Sequence, residues 1–212
     1  MSTAAQGRGR DPDGVDNIVG NHYDKYGTRN PIARALVRGF LDAVIGLYRS
    51  VGARTVLEVG CGEGLLAQQL WSSAPQPKRF VASDLVLDRI SPRLDPSIER
   101  VQASIYELPF EDDSFDLVVC CEVLEHIAEP ARGLAELTRV AGRRVLVSAP
   151  WEPLWRAMNL ARGRYLRALG NTPGHIQHFS RREFVALAST RMRVLERRTP
   201  LPWTILLGEP HP

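Results

Sequence analysis

The chain of 212 residues has few cysteines and no long apolar run. Its three cysteines are Cys61, Cys120 and Cys121. An odd number with two adjacent makes a poor disulfide framework and gives no zinc pattern, which favours a reducing compartment. No stretch approaches the roughly 20 apolar residues that cross a bilayer, and the polar residues 1–20 lack the apolar centre of a signal peptide. We therefore expect a cytoplasmic protein without an integral membrane segment.

A strong excess of charge is also missing. The net charge is +3, and the arginines are scattered rather than gathered with aromatic residues into a basic stripe, which argues against a nucleic-acid partner. The length fits a single domain, which we assign to residues 21–212. Residues 1–20 carry too little apolar surface to fold and are predicted to be a disordered tail. The sequence does not indicate an oligomeric state.

Strand-like and helix-like segments alternate along the chain. Apolar residues recur at three- and four-residue steps over residues 32–49, behind Pro31 and the potential N-cap Asn30, which predicts an amphipathic helix. Strands are predicted at residues 55–59, 80–83, 115–121, 144–149, 193–198 and 203–207. Further helices are predicted at residues 63–71, 85–93 and 130–140, and from a capping box of Ser180 and Glu183. This order predicts an α/β fold with a doubly wound, mostly parallel sheet, whose ligands bind at the carboxyl ends of its strands.

The strongest chemical signal is the segment VLEVGCGEG at residues 56–64. A strand runs into alternate glycines and then into a helix, and glycine lets the main chain turn sharply and come close to a ligand. Asp84 ends the next strand about 20 residues later, a spacing that suits a carboxylate bound to ribose hydroxyls. A dinucleotide site would have the spacing G-x-G-x-x-G, and its pyrophosphate would be repelled by Glu58. A cationic ligand such as S-adenosylmethionine suits Glu58 better, although an isolated G-x-G-x-G would be interpreted as a simple turn.

Three linked segments resemble the class I S-adenosylmethionine-dependent methyltransferases: VLEVGCGEG, ASDL and LPFEDDSFDLVVCCEVLEHI. The resemblance covers residues 55–150 and is greatest to the branch that methylates small molecules, the type 11 or quinone-biosynthesis-like enzymes. It implies S-adenosylmethionine as the cofactor. It also implies a Rossmann-like sheet of seven strands, with an N-terminal helix and a helical lid insert after the fifth strand.

The same resemblance implies roles for residues around the cofactor. Ser104 and Ile105 stand where relatives often have Asp-Ala or Asp-Val beside the adenine. The Ser104 hydroxyl would then accept a hydrogen bond from the adenine, and Ile105 would cover the adenine face. Glu122 would accept from the cofactor amino group, or would be a helix-start carboxylate stabilised by the helix dipole. His126 is expected to buttress a loop. The implied cofactor-binding residues are Glu58, Gly60, Cys61, Gly62, Gly64, Asp84, Leu85, Ser104, Ile105, Cys121 and Glu122.

The region at residues 151–179 combines aromatic and basic side chains after the fifth strand. We interpret it as a lid over an acceptor pocket, in which arginines face an anionic group. Two alternatives stay open: an amphipathic helix packed on the core, and peripheral docking on a membrane surface. The predicted substrate-binding residues are Trp151, Trp155, Arg156 and Tyr165.

Two histidines follow in the segment GHIQHFS. No third ligand of suitable spacing accompanies His175 and His178, so no metal site is expected. A general base is favoured because histidine titrates near neutrality, although either ring can instead pin the loop. We therefore predict methyl transfer to a hydroxyl oxygen of a large apolar or anionic small molecule, with His175 and His178 as catalytic candidates. The rival hypotheses are an NAD(P)-dependent oxidoreductase and a non-catalytic protein that binds S-adenosylmethionine.

Overall fold

The computed structural model describes residues 8–10, 16–18, 30–73, 75–161, 163, 168–172 and 174–212. Its centre is a sheet of seven strands. They are β1 (Thr55–Val59), β2 (Arg79–Asp84), β3 (Glu99–Gln102), β4 (Phe115–Cys121), β5 (Ala141–Pro150), β6 (Met192–Arg198) and β7 (Trp203–Pro210). The strands lie in the order β3-β2-β1-β4-β5-β7-β6. Strands β1 to β5 are parallel, and β7 pairs antiparallel with both β5 and β6. The predicted doubly wound, mostly parallel fold is therefore confirmed.

The α-helices of the described residues cover both faces of this sheet. They are α1 (Pro31–Val51), α2 (Leu65–Ser72), α3 (Pro130–Arg139), α4 (Glu152–Ala161) and α5 (Arg181–Ala188). The predicted N-terminal helix begins at its predicted cap, because Asn30 Oδ1 accepts from the backbone N–H groups of Ile32 and Ala33 at 2.9 and 3.2 Å. Helix α4 follows the fifth strand, where a helical insert is predicted. Helix α5 begins at the predicted capping box of Ser180 and Glu183.

One predicted helix is wrong. Residues 85–93 contain no α-helix in the structure, only the short 3-10 turn Leu87–Arg89. Asp84 Oδ1 accepts from the backbone N–H of Val86 at 3.1 Å, which starts a turn instead of a helix. Pro92 disfavours the helical conformation for Ser91, the residue before it.

The beginning of the chain contains a short two-stranded ladder, and the disordered tail predicted there stays a prediction. Within the segment predicted to be a disordered tail, Arg8–Arg10 and Asp16–Ile18 pair as two antiparallel strands. Main-chain hydrogen bonds define such a ladder, so it requires no apolar periodicity that the sequence could display. The rest of residues 1–29 lies outside the described part of the chain.

Strand β4 is buried on both faces, as its apolar run predicts. Phe115 and Val118 pack in a core beneath α3 and α5, whereas Leu117 and Val119 pack in a second core beneath α1 and α2. The carboxyl ends of five parallel strands consequently meet at one edge between these helix layers. Among the described residues, no helix combines the length and apolar character needed to span a membrane.

Candidate active site

The glycine loop closes the carboxyl end of β1. The backbone N–H groups of Gly60 and Cys61 donate to the carbonyl of Ser83 at 2.8 and 3.0 Å, which turns the chain over the end of β2. Gly60 has φ 76°, and a Cβ there would collide with the side chain of Val123. Gly62 has φ 56°, and a Cβ there would meet no described heavy atom within 4 Å. The main chain at Gly62 therefore faces open space in which a ligand can approach closely.

Asp84, at the end of β2, fixes the shape of this loop. Its Oδ2 accepts from the N–H of Gly62 at 2.8 Å, and its Oδ1 accepts from the N–H of Val86 at 3.1 Å. A carboxylate offers about four acceptor positions, so both oxygens keep the capacity to accept from ligand hydroxyls. Leu85 is half-buried beside it, and Gly64, with φ 78°, is the N-cap of α2. Asp84 is thus suited both to order the loop and to bind a polar ligand.

Glu58 carries a buried and only partly hydrogen-bonded carboxyl group at the same edge. Its exposed fraction is 3%, and its Oε2 has no hydrogen-bond partner among the described residues. Burial, and secondarily the nearby carboxylate of Asp84, raises the pKa of Glu58 to about 8. A buried polar oxygen without a hydrogen-bond partner destabilises the fold. A cation bound beside Glu58 would favour the ionised carboxylate and so lower its pKa. The site therefore favours a positively charged ligand.

The loop after β3 contains the two residues assigned to the adenine. The hydroxyl of Ser104 accepts from the N–H of Tyr106 at 3.2 Å, and Ser104 is buried. Ile105 is buried in the core, with its side chain against Gly133 of α3. Both side chains are thus engaged within the protein, and their adenine contacts stay predictions.

Cys121 and Glu122 end β4 beside the glycine loop. Glu122 has φ 61°, and its two carboxylate oxygens accept from the hydroxyl of Ser148 at 3.1 Å and from the indole N–H of Trp203 at 2.6 Å. Glu122 therefore bonds to β5 and β7. The segment that follows it is a 3-10 turn, Leu124–His126, and not an α-helix whose dipole a helix-start carboxylate would meet. Burial raises the pKa of the Cys121 thiol, which keeps it protonated. Cofactor contacts of both residues stay predictions.

Three of the four residues predicted to bind an acceptor lie directly before or within α4. The guanidinium of Arg181 lies 4.1 Å from the ring centre of Trp151, a cation–π contact. Arg156 donates from Nε to the carbonyl of Leu169 at 3.1 Å and so ties α4 to the segment that follows it. Tyr165 lies outside the described residues. The acceptor roles of all these residues stay predictions.

Trp155 connects α4 to the histidine segment. Its indole N–H donates to the hydroxyl of Thr172 at 2.8 Å. Its ring is roughly parallel to the ring of His175, with centroids 6.2 Å apart, and meets Trp203 edge-on at 5.7 Å. Trp155 is half-buried, so part of its side chain is accessible to solvent.

The fold brings His175 beside three ionisable side chains from other segments. His175 is 7% exposed, and its Nδ1 is hydrogen-bonded to the carboxylate of Glu152. Its ring meets the ring of His126 edge-on at 4.8 Å between centroids. Glu125 is fully buried, with Oε1 3.9 Å from His126 Nε2. These four residues are called the histidine–carboxylate cluster below.

His178, the second catalytic candidate, lies apart from this cluster. It is exposed, and its Nε2 is hydrogen-bonded to Asn171 Oδ1 at 2.9 Å. Sequence reasoning missed Glu125 and Glu152 as site residues. Each comes from a different element than His175, and no fixed spacing connects them, so only the tertiary fold could bring them together.

Comparison with known proteins identifies the family. Residues 57–145 match a family model described as a methyltransferase domain. A ubiquinone biosynthesis O-methyltransferase from Xanthomonas oryzae pv. oryzae is 33% identical over 160 residues, which cover 72% of this chain and 66% of that protein. A probable S-adenosylmethionine-dependent methyltransferase from Mycobacterium tuberculosis is 39% identical over 88 residues, or 42% of this chain. The chain spans only 32% of the length of that relative.

The fold agrees with this family. The crystal structure of a magnesium protoporphyrin IX methyltransferase from Synechocystis, with bound S-adenosylhomocysteine, superposes with a TM-score of 0.64 at 17% identity, over 87% of this chain and 90% of that one. The chain belongs to the class I S-adenosylmethionine-dependent methyltransferases.

The residues at the site fit the cofactor of this family. S-adenosylmethionine carries a sulfonium and an ammonium group, and Oε2 of Glu58, which has no partner in the described part of the chain, is a buried acceptor for positive charge. The remaining acceptor positions of Asp84 suit ribose hydroxyls, and the space at Gly62 admits a ligand. S-adenosylmethionine is the cofactor, which removes the support for the NAD(P) alternative.

Proposed function

We propose that this chain transfers a methyl group from S-adenosylmethionine to a hydroxyl oxygen of a large apolar or anionic small molecule. The observation that carries the proposal is Glu58, a buried carboxyl whose Oε2 bonds to no described residue, beside a glycine loop with space for a ligand. Family membership supplies the class of reaction. The Xanthomonas relative is named as an O-methyltransferase of ubiquinone biosynthesis, which supports oxygen as the acceptor atom.

The cofactor side of the site would work by charge and orientation. When bound, S-adenosylmethionine supplies an activated methyl group: the acceptor oxygen bonds to the methyl carbon, the electrons of the broken C–S bond stay on sulfur, and S-adenosylhomocysteine leaves. The carboxylate of Glu58 stabilises the positive charge of the bound cofactor. Asp84 accepts from the ribose hydroxyls while it keeps its bond to Gly62. Fixing the reacting groups in line lowers the entropic part of the barrier.

The acceptor would bind beside α4. The ring of Trp155 offers an apolar surface next to His175, and Arg156 offers positive charge near by for an anionic group. His175 would accept the hydroxyl proton at Nε2, because its Nδ1 is bonded to the Glu152 carboxylate and its ring is buried. In this proposal, His175→Ala abolishes methyl transfer while cofactor binding persists, and His178→Ala retains most of the activity.

The test uses the full chain with S-adenosylmethionine and a panel of phenols, with and without prenyl tails. S-adenosylhomocysteine and the methylated products are measured by mass spectrometry, and Asp84→Ala is the control. We expect an O-methylated product, faster turnover for tailed phenols, and loss of turnover in the variant. Cofactor binding with no turnover of any phenol would favour the rival, a non-catalytic cofactor-binding protein.

A further inference from the structure

We propose that Glu125, His126 and His175 form a binding site for one divalent first-row transition-metal ion. The ion would hold the acceptor oxygen, so the part of the inference that concerns its role rests on the proposed function. The site itself depends only on the geometry of the histidine–carboxylate cluster.

The three residues present a compact set of ligand atoms. One ligand atom from each lies within 4.8 Å of those from the other two, with Glu125 and His175 buried and His126 half-buried. Atoms that share one ion at bond lengths of about 2.0–2.2 Å lie roughly 3–4 Å apart. The present spacing therefore requires only small side-chain adjustments to bind an ion.

The outer hydrogen bonds orient both imidazoles. His126 Nδ1 lies 2.9 Å from the carbonyl oxygen of Gly174, which can only accept, so Nδ1 carries a proton and, in the neutral imidazole, the lone pair lies on Nε2. The Nδ1 of His175 pairs with the carboxylate of Glu152, which likewise leaves the lone pair on Nε2. Metal-binding histidines commonly donate their second ring N–H to a carboxylate or a backbone carbonyl. Both forms of this arrangement occur in the cluster.

Backbone hydrogen bonds hold the two ligand segments together. The N–H groups of Ile176 and Gln177 both donate to the carbonyl of Glu125 at 3.0 Å. The side-chain amide of Gln177 also donates to the carbonyls of Ile127 and Ala128, each at 3.2 Å. The 3-10 turn that carries two ligands is thus fixed against the loop that carries the third, so little ordering remains for an ion to impose.

The charge and chemistry of the cluster select the kind of ion. Glu125 and Glu152 are both buried, and Oε2 of Glu152 has no hydrogen-bond partner among the described residues. A dication offsets the charge of two buried carboxylates. Imidazole ligands suit Zn²⁺, Co²⁺, Mn²⁺ or Fe²⁺, whereas Mg²⁺ and Ca²⁺ prefer oxygen ligands.

The position of the cluster relates the ion to methyl transfer. Val123, which fills the space that a Cβ on Gly60 would need, is followed directly by the 3-10 turn with Glu125 and His126. The cluster therefore begins two residues after Val123, which lies against the cofactor loop. Three protein ligands leave coordination positions open, and a bound metal lowers the pKa of an oxygen ligand. A hydroxyl held there loses its proton to solvent more readily, so with the ion bound His175 is a ligand, and its role as proton acceptor belongs to the metal-free chain.

Metal binding can be measured without any acceptor. The full chain is treated with chelator and titrated with Zn²⁺ and Co²⁺, with calorimetry and the Co²⁺ visible spectrum as readouts. We expect about one ion per chain. Glu152→Gln, which replaces the carboxylate bonded to His175 Nδ1, should weaken binding about 10–100-fold, and Glu125→Gln should weaken it at least as much. The matched control is His211→Gln, at an exposed histidine whose Nε2 pairs with the carbonyl of Ser189.

Binding of S-adenosylhomocysteine to each variant separates the possible failures. Retained cofactor binding in Glu125→Gln, with metal binding lost, supports the site. The site is overturned if the wild-type chain binds no stoichiometric ion, or if Glu125→Gln binds ions as well as the His211→Gln control does. Either result would leave the proposed methyl transfer intact as long as S-adenosylhomocysteine still binds, whereas loss of that binding in the wild-type chain would contradict the proposed function instead.

Discussion

At the scale of single residues, the raised pKa of buried Glu58 predicts how cofactor affinity depends on pH. Its pKa of about 8 means that the carboxyl is largely neutral at pH 7 in the free chain. A cationic ligand favours the ionised form and lowers that pKa, so binding releases a proton. We expect the affinity for S-adenosylmethionine to increase as the pH rises from about 6 towards the pKa of about 8.

Proton release is measured by calorimetry in two buffers of different ionisation enthalpy at pH 7. The Glu58→Gln variant, which keeps the shape of the side chain but cannot ionise, is the control for any titration of the ligand itself. Equal proton release in the wild type and in this variant would show that Glu58 does not respond to the bound charge.

Two glycines of the loop are expected to respond differently to alanine. Both have positive φ, which costs an L-residue roughly 1–2 kcal/mol. A Cβ at Gly60 also collides with Val123, whereas a Cβ at Gly62 meets open space. Gly60→Ala should therefore lower the free energy of unfolding by more than Gly62→Ala does, as measured by denaturant titration. Gly62→Ala should instead weaken cofactor binding, because its methyl group enters the space where the ligand approaches; equal stability losses would contradict this difference.

At the scale of an element, the capping box of α5 supports the end of the histidine segment. Ser180 Oγ accepts from the N–H of Glu183 at 3.2 Å, and the Glu183 carboxylate accepts from the N–H of Ser180 at 2.8 Å. Ser180→Ala should lower the free energy of unfolding by about 1 kcal/mol. Ser189→Ala, at the exposed C-cap of the same helix, is the control and should change stability by less than about 0.5 kcal/mol. Equal values from denaturant titration would mean that the box contributes nothing.

Elements were predictable where one local signal dominates. The apolar run of β4 and the Asn30 cap of α1 depend on side chains within a few residues of each other, and both predictions are confirmed. Residues 85–93 show helical composition, but the Asp84 side chain and Pro92 favour a turn there. Composition therefore failed where a single polar contact decides the conformation.

At the scale of the whole molecule, the order of the strands assembles the site. Strands β1, β2 and β4 are neighbours, so the Glu58 loop, Asp84 and the turn after Glu122 meet at one edge although they are far apart in sequence. Motif spacing and family resemblance were sufficient to predict that these segments meet at the carboxyl ends of the strands, while their cofactor contacts stay predictions. The histidine–carboxylate cluster was not predictable, because the pairing of His175 with Glu152 depends on how the chain folds back after β5.

The most direct test is a calorimetric titration of the full chain with S-adenosylhomocysteine, in parallel with Asp84→Ala and with NADH as the comparison ligand. We predict one binding site for S-adenosylhomocysteine, at least a tenfold loss of affinity in Asp84→Ala, equivalent to about 1.4 kcal/mol, and no heat with NADH. Binding of NADH in place of S-adenosylhomocysteine, or an Asp84→Ala variant that binds S-adenosylhomocysteine as tightly as the wild type, would contradict the assignment of this edge as the cofactor site.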